Sequence, residues 1–321
     1  MKVLVTGGSG FLGTHIVKAL AEAGEEVINY SPSGFSEPAM AYLADLASRI
    51  HYVEGDVLDA GQFGRTLKSY QVECIVHAAA INGEPAARRC PERTLASNVM
   101  GTANVLTQAA LARVRRVVYL GSGTQYGPRL DLRPLREEEP ARPCGIYATT
   151  KQMAEMYGIE YANLFEVEFV SLRISAPYGP LEKIKPSPMH VQFWCRAALE
   201  GREVNLASGG DHPRDFTYVS DTARGVAAAC RCEKLRYNIY NISSGRSYTL
   251  RELVEVVKRL RPGARLRIGE GFLAGDNPSF RTSLRGPLDI SRTRNELGFS
   301  PEVDLVTGVN EYLEWLDENL W

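Results

Sequence analysis

Three observations predict an α/β fold, a doubly wound parallel sheet with a smaller mixed α/β domain beside it. Short β-branched runs alternate with longer helical patterns through the first half of the chain, as successive βαβ units do. The first strand-like run leads into Gly7-Gly8-Ser9-Gly10-Phe11-Leu12-Gly13, a glycine-spaced turn opening a helical pattern. After Ser175 the texture changes, because Pro177, Pro180, Pro186 and Pro188 interrupt any regular element.

The elements follow in order. A strand at 3–6 precedes a helix at 11–23, and Gly24 stands where a C-cap belongs. Further strands are expected at 26–30, 50–54, 74–78, 114–121 and 169–173, with helices at 60–70, 94–112 and 147–163 between them. Beyond the boundary, helices are expected at 191–200, 250–260 and 305–319, and Trp315 and Trp321 are expected to pack the last of them. A strand and helix near 216–230 should return to the first domain. The expected division is therefore 1–175 plus about 216–240 for the first domain, and about 176–215 plus 241–321 for the second.

Composition excludes several classes. The 321 residues are 44% hydrophobic and 23% charged, an ordinary globular balance. No apolar run approaches the ~18 residues of a membrane span. Thirty-seven Lys and Arg against thirty-eight Asp and Glu leave a net charge of −1, so no global field draws in nucleic acid or an anionic membrane. The opening residues Met1–Thr6 lack the apolar core of a signal peptide, which points to a cytoplasmic protein. Six scattered cysteines have no His at zinc spacing and read as reduced and structural; no metal is expected. Arg113, Arg115 and Arg116 read as a solvated cluster.

The glycine turn carries the first chemical signal. Gly7 permits a tight turn, Gly10 lets backbone approach a pyrophosphate, and Gly13 lets helix pack on strand; the helix N-terminus, with Phe11 and Leu12, supplies amide donors. A Rossmann-type dinucleotide site results. Its second strand normally ends on an acidic residue that binds ribose hydroxyls, but Ser31 stands there and no Arg or Lys follows to hold a 2′-phosphate. NAD and NADP both remain open at this level. After the third strand, Asp56 and Val57 could place a carboxylate and an apolar side chain around an adenine.

Tyr147 and Lys151 stand four apart on one helix face, and Ser122 ends a strand where parallel-sheet enzymes present ligands. Beside a nicotinamide, an ammonium can lower the Tyr pKa so that the phenolate takes a proton from a hydroxyl, while Ser122 hydrogen-bonds the same oxygen.

With these residues assembled, the chain resembles the extended short-chain dehydrogenase/reductase family, the NAD-dependent epimerases and dehydratases acting on nucleotide sugars. The resemblance spans nearly the whole chain. It is carried by the glycine turn, Gly55-Asp56-Val57, His77-Ala78-Ala79-Ala80, Asn98 with Gly101-Thr102, Ser122 ahead of Tyr126-Gly127, Tyr147 with Lys151, Leu172-Arg173 through Tyr178-Gly179-Pro180, Arg214-Asp215-Phe216, and Leu288-Asp289-Ile290-Ser291. It implies that Ala78, Ala79 and Ala80 line the cofactor and that Asn98 supports the active-site helix. It further implies that Arg214 contacts a substrate diphosphate, with Arg281, in preference to Arg285, as the second such ligand. A homodimer through the helices at 94–112 and 147–163 is also implied.

Departures from the family pattern narrow the reaction. Family dehydratases place acidic residues just after the catalytic Ser or Thr, and here those positions are Gly123 and Thr124, so 4,6-dehydration is not expected. Thr124 could hydrogen-bond a sugar hydroxyl, and Gln125 replaces a usually apolar residue. Ala176 stands where many nucleotide-sugar enzymes carry Asn, which keeps another sugar or a sugar acid in view. The expected activity is an NAD(P)-dependent epimerase acting on a nucleotide sugar through a transient keto intermediate. A keto-sugar reductase is the alternative, and a non-catalytic dinucleotide sensor would have no use for Ser122, Tyr147 and Lys151.

Overall fold

Period-two alternation along the strands decides how the main sheet is covered. The computed structural model describes residues 1–274, 280 and 283–319. Its main strands are β1 (Lys2–Thr6), β2 (Glu26–Ser31), β3 (Ile50–Glu54), β4 (Cys74–His77), β5 (Arg116–Ser122), β6 (Glu168–Ile174) and β7 (Ile239–Ile242). They form one parallel sheet in the order β7-β6-β5-β4-β1-β2-β3. The principal helices are α1 (Phe11–Glu22), α2 (Ala60–Tyr70), α3 (Gly101–Leu111), α4 (Ile146–Leu164), α5 (Val191–Leu199), α6 (Val219–Arg231), α7 (Leu250–Leu260) and α8 (Leu305–Asn319).

Val3, Val5, Val76, Val118 and Leu120 turn to one face and pack with Ile16 and Leu20 of α1 and Val226 of α6. Their neighbours Leu4, Ile75, Val117 and Tyr119 turn to the other face, against Phe63 and Leu67 of α2, Leu106 of α3 and Ala154 of α4. Both faces are thus buried, and the doubly wound parallel sheet expected from the sequence is present. The order reverses at β1, whose neighbours β4 and β2 lead to opposite edges, so the carboxyl ends of β1 and β4 open a crevice. A second core gathers Trp194 and Cys195 of α5, Leu250 and Leu253 of α7, and Leu305, Tyr312 and Leu313 of α8. Trp315 stacks on Tyr312 beside it, whereas Trp321 lies outside the described residues. Among the described residues no helix is long and apolar enough to cross a membrane.

The helix expected at 94–112 is present as an unbroken helical run from Pro91 to Leu111, in which a π-helical turn at Ala96–Met100, holding Asn98, separates the first turn at Pro91–Leu95 from α3. Two expectations change. The strand near 216 is Thr217–Tyr218, which pairs with Pro177–Tyr178 in a separate two-stranded sheet. The strand that joins the main sheet is β7, beyond α6, because β6 offers its free edge to Ile239–Ile242. Arg116 is not solvated. It is 0% exposed and donates to the carbonyls of Ala229, Cys230 and Cys232 and to Glu168, so it satisfies the C-terminal end of α6.

Candidate active site

The glycine turn forms at the carboxyl end of β1. Gly7 adopts φ +68°, its amide donates to Tyr30 O at 2.9 Å, and a Cβ there would lie 2.9 Å from the Ala79 backbone. Gly13 lies so close to Gly7 that a Cβ would meet Gly7 O at 2.2 Å. Gly10 is the N-cap of α1 and no side chain caps the helix, so the first-turn amides, Phe11 and Leu12 among them, point their donors and positive dipole out of the turn. This cradle fits the pyrophosphate of a dinucleotide.

Ser31 is buried at the end of β2. Its hydroxyl donates to Asn29 Oδ1 at 2.8 Å and accepts from the Ser9 amide at 3.3 Å, while Asn29 donates to Ser9 Oγ at 2.8 Å. The hydroxyl therefore braces the glycine turn. Asp56 accepts from the Leu58 amide at 3.0 Å in a local turn, and Val57 packs against Gly101, where a Cβ would come within 2.8 Å.

The loop after β4 carries Ala78, Ala79 and Ala80 along the same crevice. Ala78 N donates to Thr6 O and Ala79 N to Thr6 Oγ1. Thr102 donates to Asn98 O, so its hydroxyl accepts from His77 Nε2, and Nδ1 is left to accept from Thr6. Burial, with the charge of Lys151, holds the His77 pKa down to about 3, so this imidazole is a neutral linker. Asn98 supports the loop and the next helix together: Oδ1 accepts from Ile81 N at 2.8 Å, and Nδ2 donates to Ile81 O and to Thr150 Oγ1 on α4.

Ser122, Tyr147 and Lys151 come together. Ser122 ends β5 and caps a 3₁₀ turn at Gly123–Tyr126, where Gln125 completes a capping box by accepting from Ser122 N at 2.7 Å. Gln125 also donates to Gln152, so this residue stiffens the turn. Thr124 Oγ1 lies 2.9 Å from Ser122 Oγ, one hydroxyl donating to the other. Lys151 is 3% exposed; its Nζ donates to Leu120 O at 2.8 Å and lies 4.8 Å from the Tyr119 ring. Burial pulls its pKa down to about 7. Burial pushes the Tyr147 phenol up to about 12, opposed by its hydrogen bond with Ser122. The bare protein thus holds a protonated phenol beside a readily titrated amine, a pair suited to exchanging a proton with a bound hydroxyl.

A second cluster lies near Ser122. Arg285 is buried, and its Nη2 would be 3.4 Å from a Cβ on Gly123. Burial lowers the Arg285 pKa to about 10, and burial with the charge of Arg285 lowers that of Arg214 to about 10. Arg214 Nε is buried and finds no hydrogen-bond partner among the described residues, nor does His212 Nδ1. Two desolvated guanidiniums close enough to repel one another suit a doubly charged anion such as a diphosphate. Arg281 lies outside the described residues, and Arg285 is an arginine that the structure brings to the turn after Ser122. Cys144 is exposed just ahead of α4. Ala176 lies half-buried in the turn after β6.

Residues 3–243 match the model of the NAD dependent epimerase/dehydratase family. The chain is 27% identical to a putative UDP-glucose 4-epimerase of Methanocaldococcus jannaschii, over 99% of this chain and 99% of that relative. It is similar in structure to a UDP-glucose 4-epimerase with UDP-glucose from Thermotoga maritima, with 26% identity, a TM-score of 0.85 and 100% coverage of both chains. MoeE5 in complex with UDP-glucuronic acid and NAD is also similar, with 25% identity and a TM-score of 0.84 over 99% of this chain and 100% of that one.

Proposed function

The chain belongs to the NAD-dependent epimerase/dehydratase family, and from that premise we propose that it is an NAD-dependent epimerase of a nucleotide sugar, working through a transient keto sugar. The observation that carries the reading is the meeting of Ser122, Tyr147 and Lys151 beside the glycine cradle, with Arg214 and Arg285 buried close by. Relatives and structural neighbours that act on or hold UDP-sugars support it.

In this reading Gly7, Gly10, Phe11 and Leu12 hold the pyrophosphate of NAD, while Ala78, Ala79, Ala80, Asp56 and Val57 line the rest of its cleft. Bound there, NAD supplies a reversible hydride acceptor and a positively charged ring. Tyr147 exchanges a proton with the sugar hydroxyl at the reacting carbon, and Ser122 and Thr124 hydrogen-bond the oxygen as it becomes a carbonyl. Lys151 stabilises the phenolate. Arg214 and Arg285 grip the diphosphate, so the keto sugar can turn while its nucleotide end stays anchored. Gly123 and Thr124 supply no carboxylate to expel water, which favours epimerisation over dehydration. Ser31 offers no contact for a 2′-phosphate, and the neighbour MoeE5 holds NAD, so NAD is the preferred cofactor.

The main sheet forms the dinucleotide-binding domain and the core around α5, α7 and α8 the substrate-binding one, with β7 assigned to the first. Leu95, Met100, Met153, Met156 and Tyr157 stay exposed on the Pro91–Leu111 segment and α4, a surface suited to a homodimer in the cytoplasm.

An epimerase regenerates its cofactor in every turnover and has no need to release it. Mass spectrometry of the denatured protein should therefore recover NAD at close to one equivalent per chain. Protein free of nucleotide that binds NADPH reversibly would instead identify a keto-sugar reductase.

A further inference from the structure

We infer that Glu84 is a positioning residue for Tyr147, fastening the first turn of α4 to the chain segment that follows β4. The inference rests on the reading of Tyr147 as the proton-transfer group. A helix N-terminus needs partners for its first amides, and the usual source is the side chain of the N-cap residue. The N-cap of α4 is Gly145, which has none. The acceptor arrives from far away in sequence: Glu84 Oε2 takes the backbone N–H of Tyr147 itself at 3.0 Å. Arg88 Nε donates to the other oxygen, Oε1, at 2.8 Å, and Glu84 is only 7% exposed.

Gly145 makes room for this arrangement. Its φ is +96°, and a Cβ there would lie 2.4 Å from Glu84 Oε2. A carboxylate at a helix start is favoured by the helix dipole and makes a charge-assisted bond to the amide. The Tyr147 carbonyl is engaged as well, accepting from Thr150 Oγ1 at 2.9 Å, and Thr150 accepts in turn from Asn98. The backbone on both sides of the phenol-bearing Cα is therefore pinned to the chain after β4, through Glu84 at the start of the short helix Glu84–Arg89 in front and through Asn98 and Ile81 of the 78–83 loop behind. That loop also carries Ala78, Ala79 and Ala80 against the glycine turn. Glu84 thus sets the phenol in register with the crevice in which the cofactor lies.

The variants Glu84→Ala, Glu84→Gln and Glu84→Asp test this. Hydrogen exchange across 145–150 reports the clamp directly, and difference absorbance between each variant and its Tyr147→Phe double reports the phenol titration with NAD present. Glu84→Ala should speed exchange and move the phenol titration to higher pH. It should also lower kcat by at least about tenfold with KM nearly unchanged, since small displacements of a reacting group are costly. Glu84→Gln keeps an acceptor for Tyr147 N–H, and Arg88, at 55% exposure, can turn to solvent, so most of the rate should return. Glu84→Asp keeps the charge but loses reach; it should behave like Glu84→Ala and replaces it if that variant does not fold. Normal titration and exchange in Glu84→Ala would overturn the inference, as would equal loss in Ala and Gln variants with the titration unmoved. If the wild type turns over no nucleotide sugar, the activity reading fails, while exchange and titration still decide the role of Glu84.

Discussion

Replacing Tyr147 by Phe should lower kcat by about 10³-fold and leave NAD affinity nearly unchanged. The hydroxyl is the only group that the substitution removes. The Tyr147 backbone stays held by Glu84 and Thr150, and the glycine turn, Asn98 and Lys151 stay in place. General acid–base catalysis by one positioned side chain is worth about 10²–10⁴-fold, which sets the expected size. Stability should change little, because the hydroxyl's hydrogen bond to Ser122 contributes only about 1 kcal/mol. Steady-state rates together with NAD recovered from the denatured variant check both halves. A normal rate would remove Tyr147 from the chemistry.

Lys151→Met should be equally damaging to the reaction and yet stabilise the bare protein at acidic pH. Without the ammonium, the phenol loses the charge that stabilises its ionised form, and kcat should again fall by about 10³-fold. Stability moves the other way. Burial lowers the Lys151 pKa from 10.5 in the unfolded chain to about 7 in the folded one. Between those values the unfolded state binds more protons, so wild-type stability rises with pH across that window. Below about pH 7 the whole cost of burying the ammonium is present. Methionine has similar length and no charge to desolvate, so the bare variant should melt several degrees above wild type at pH 6. The gap should close as pH approaches 10.5. Thermal melts of NAD-free protein across this range check the sign, and a variant less stable than wild type at pH 6 would contradict it.

Much of this arrangement is legible in the sequence where the determinants are local. The glycine spacing, the strand before it and the helix after it fix the cradle within a dozen residues, and the four-residue spacing of Tyr147 and Lys151 fixes their shared face. Ser122 with Gln125 three residues on has the form of a capping box, which accounts for the stiff turn after β5. The family resemblance carried by these motifs holds across residues 3–243. What stays hidden depends on distant chain segments. Arg116 looks solvated among its charged neighbours, yet it shares strand parity with Val118 and Leu120, and the end of α6 closes over it. That parity is the signal that could have placed it inside. Arg285 reaches the Ser122 turn because its segment is paired to the loop after β5, through Arg129 N to Leu284 O and Leu135 N to Pro287 O. Nothing local in the sequence announces that pairing. Glu84 is similar, for only the bare Gly145 ahead of α4 hints that the cap must come from elsewhere.

The most direct test of the central claim is NMR of UDP-glucose and UDP-glucuronic acid, each incubated with the purified enzyme in deuterated water with no NAD added. The account predicts that at least one of them equilibrates with an epimer inverted at a single carbon. The hydrogen on that carbon should be retained, with no deuterium taken from solvent and no net NADH formed. Inversion with deuterium incorporation, or stoichiometric NADH with a keto sugar and no epimer, would contradict it.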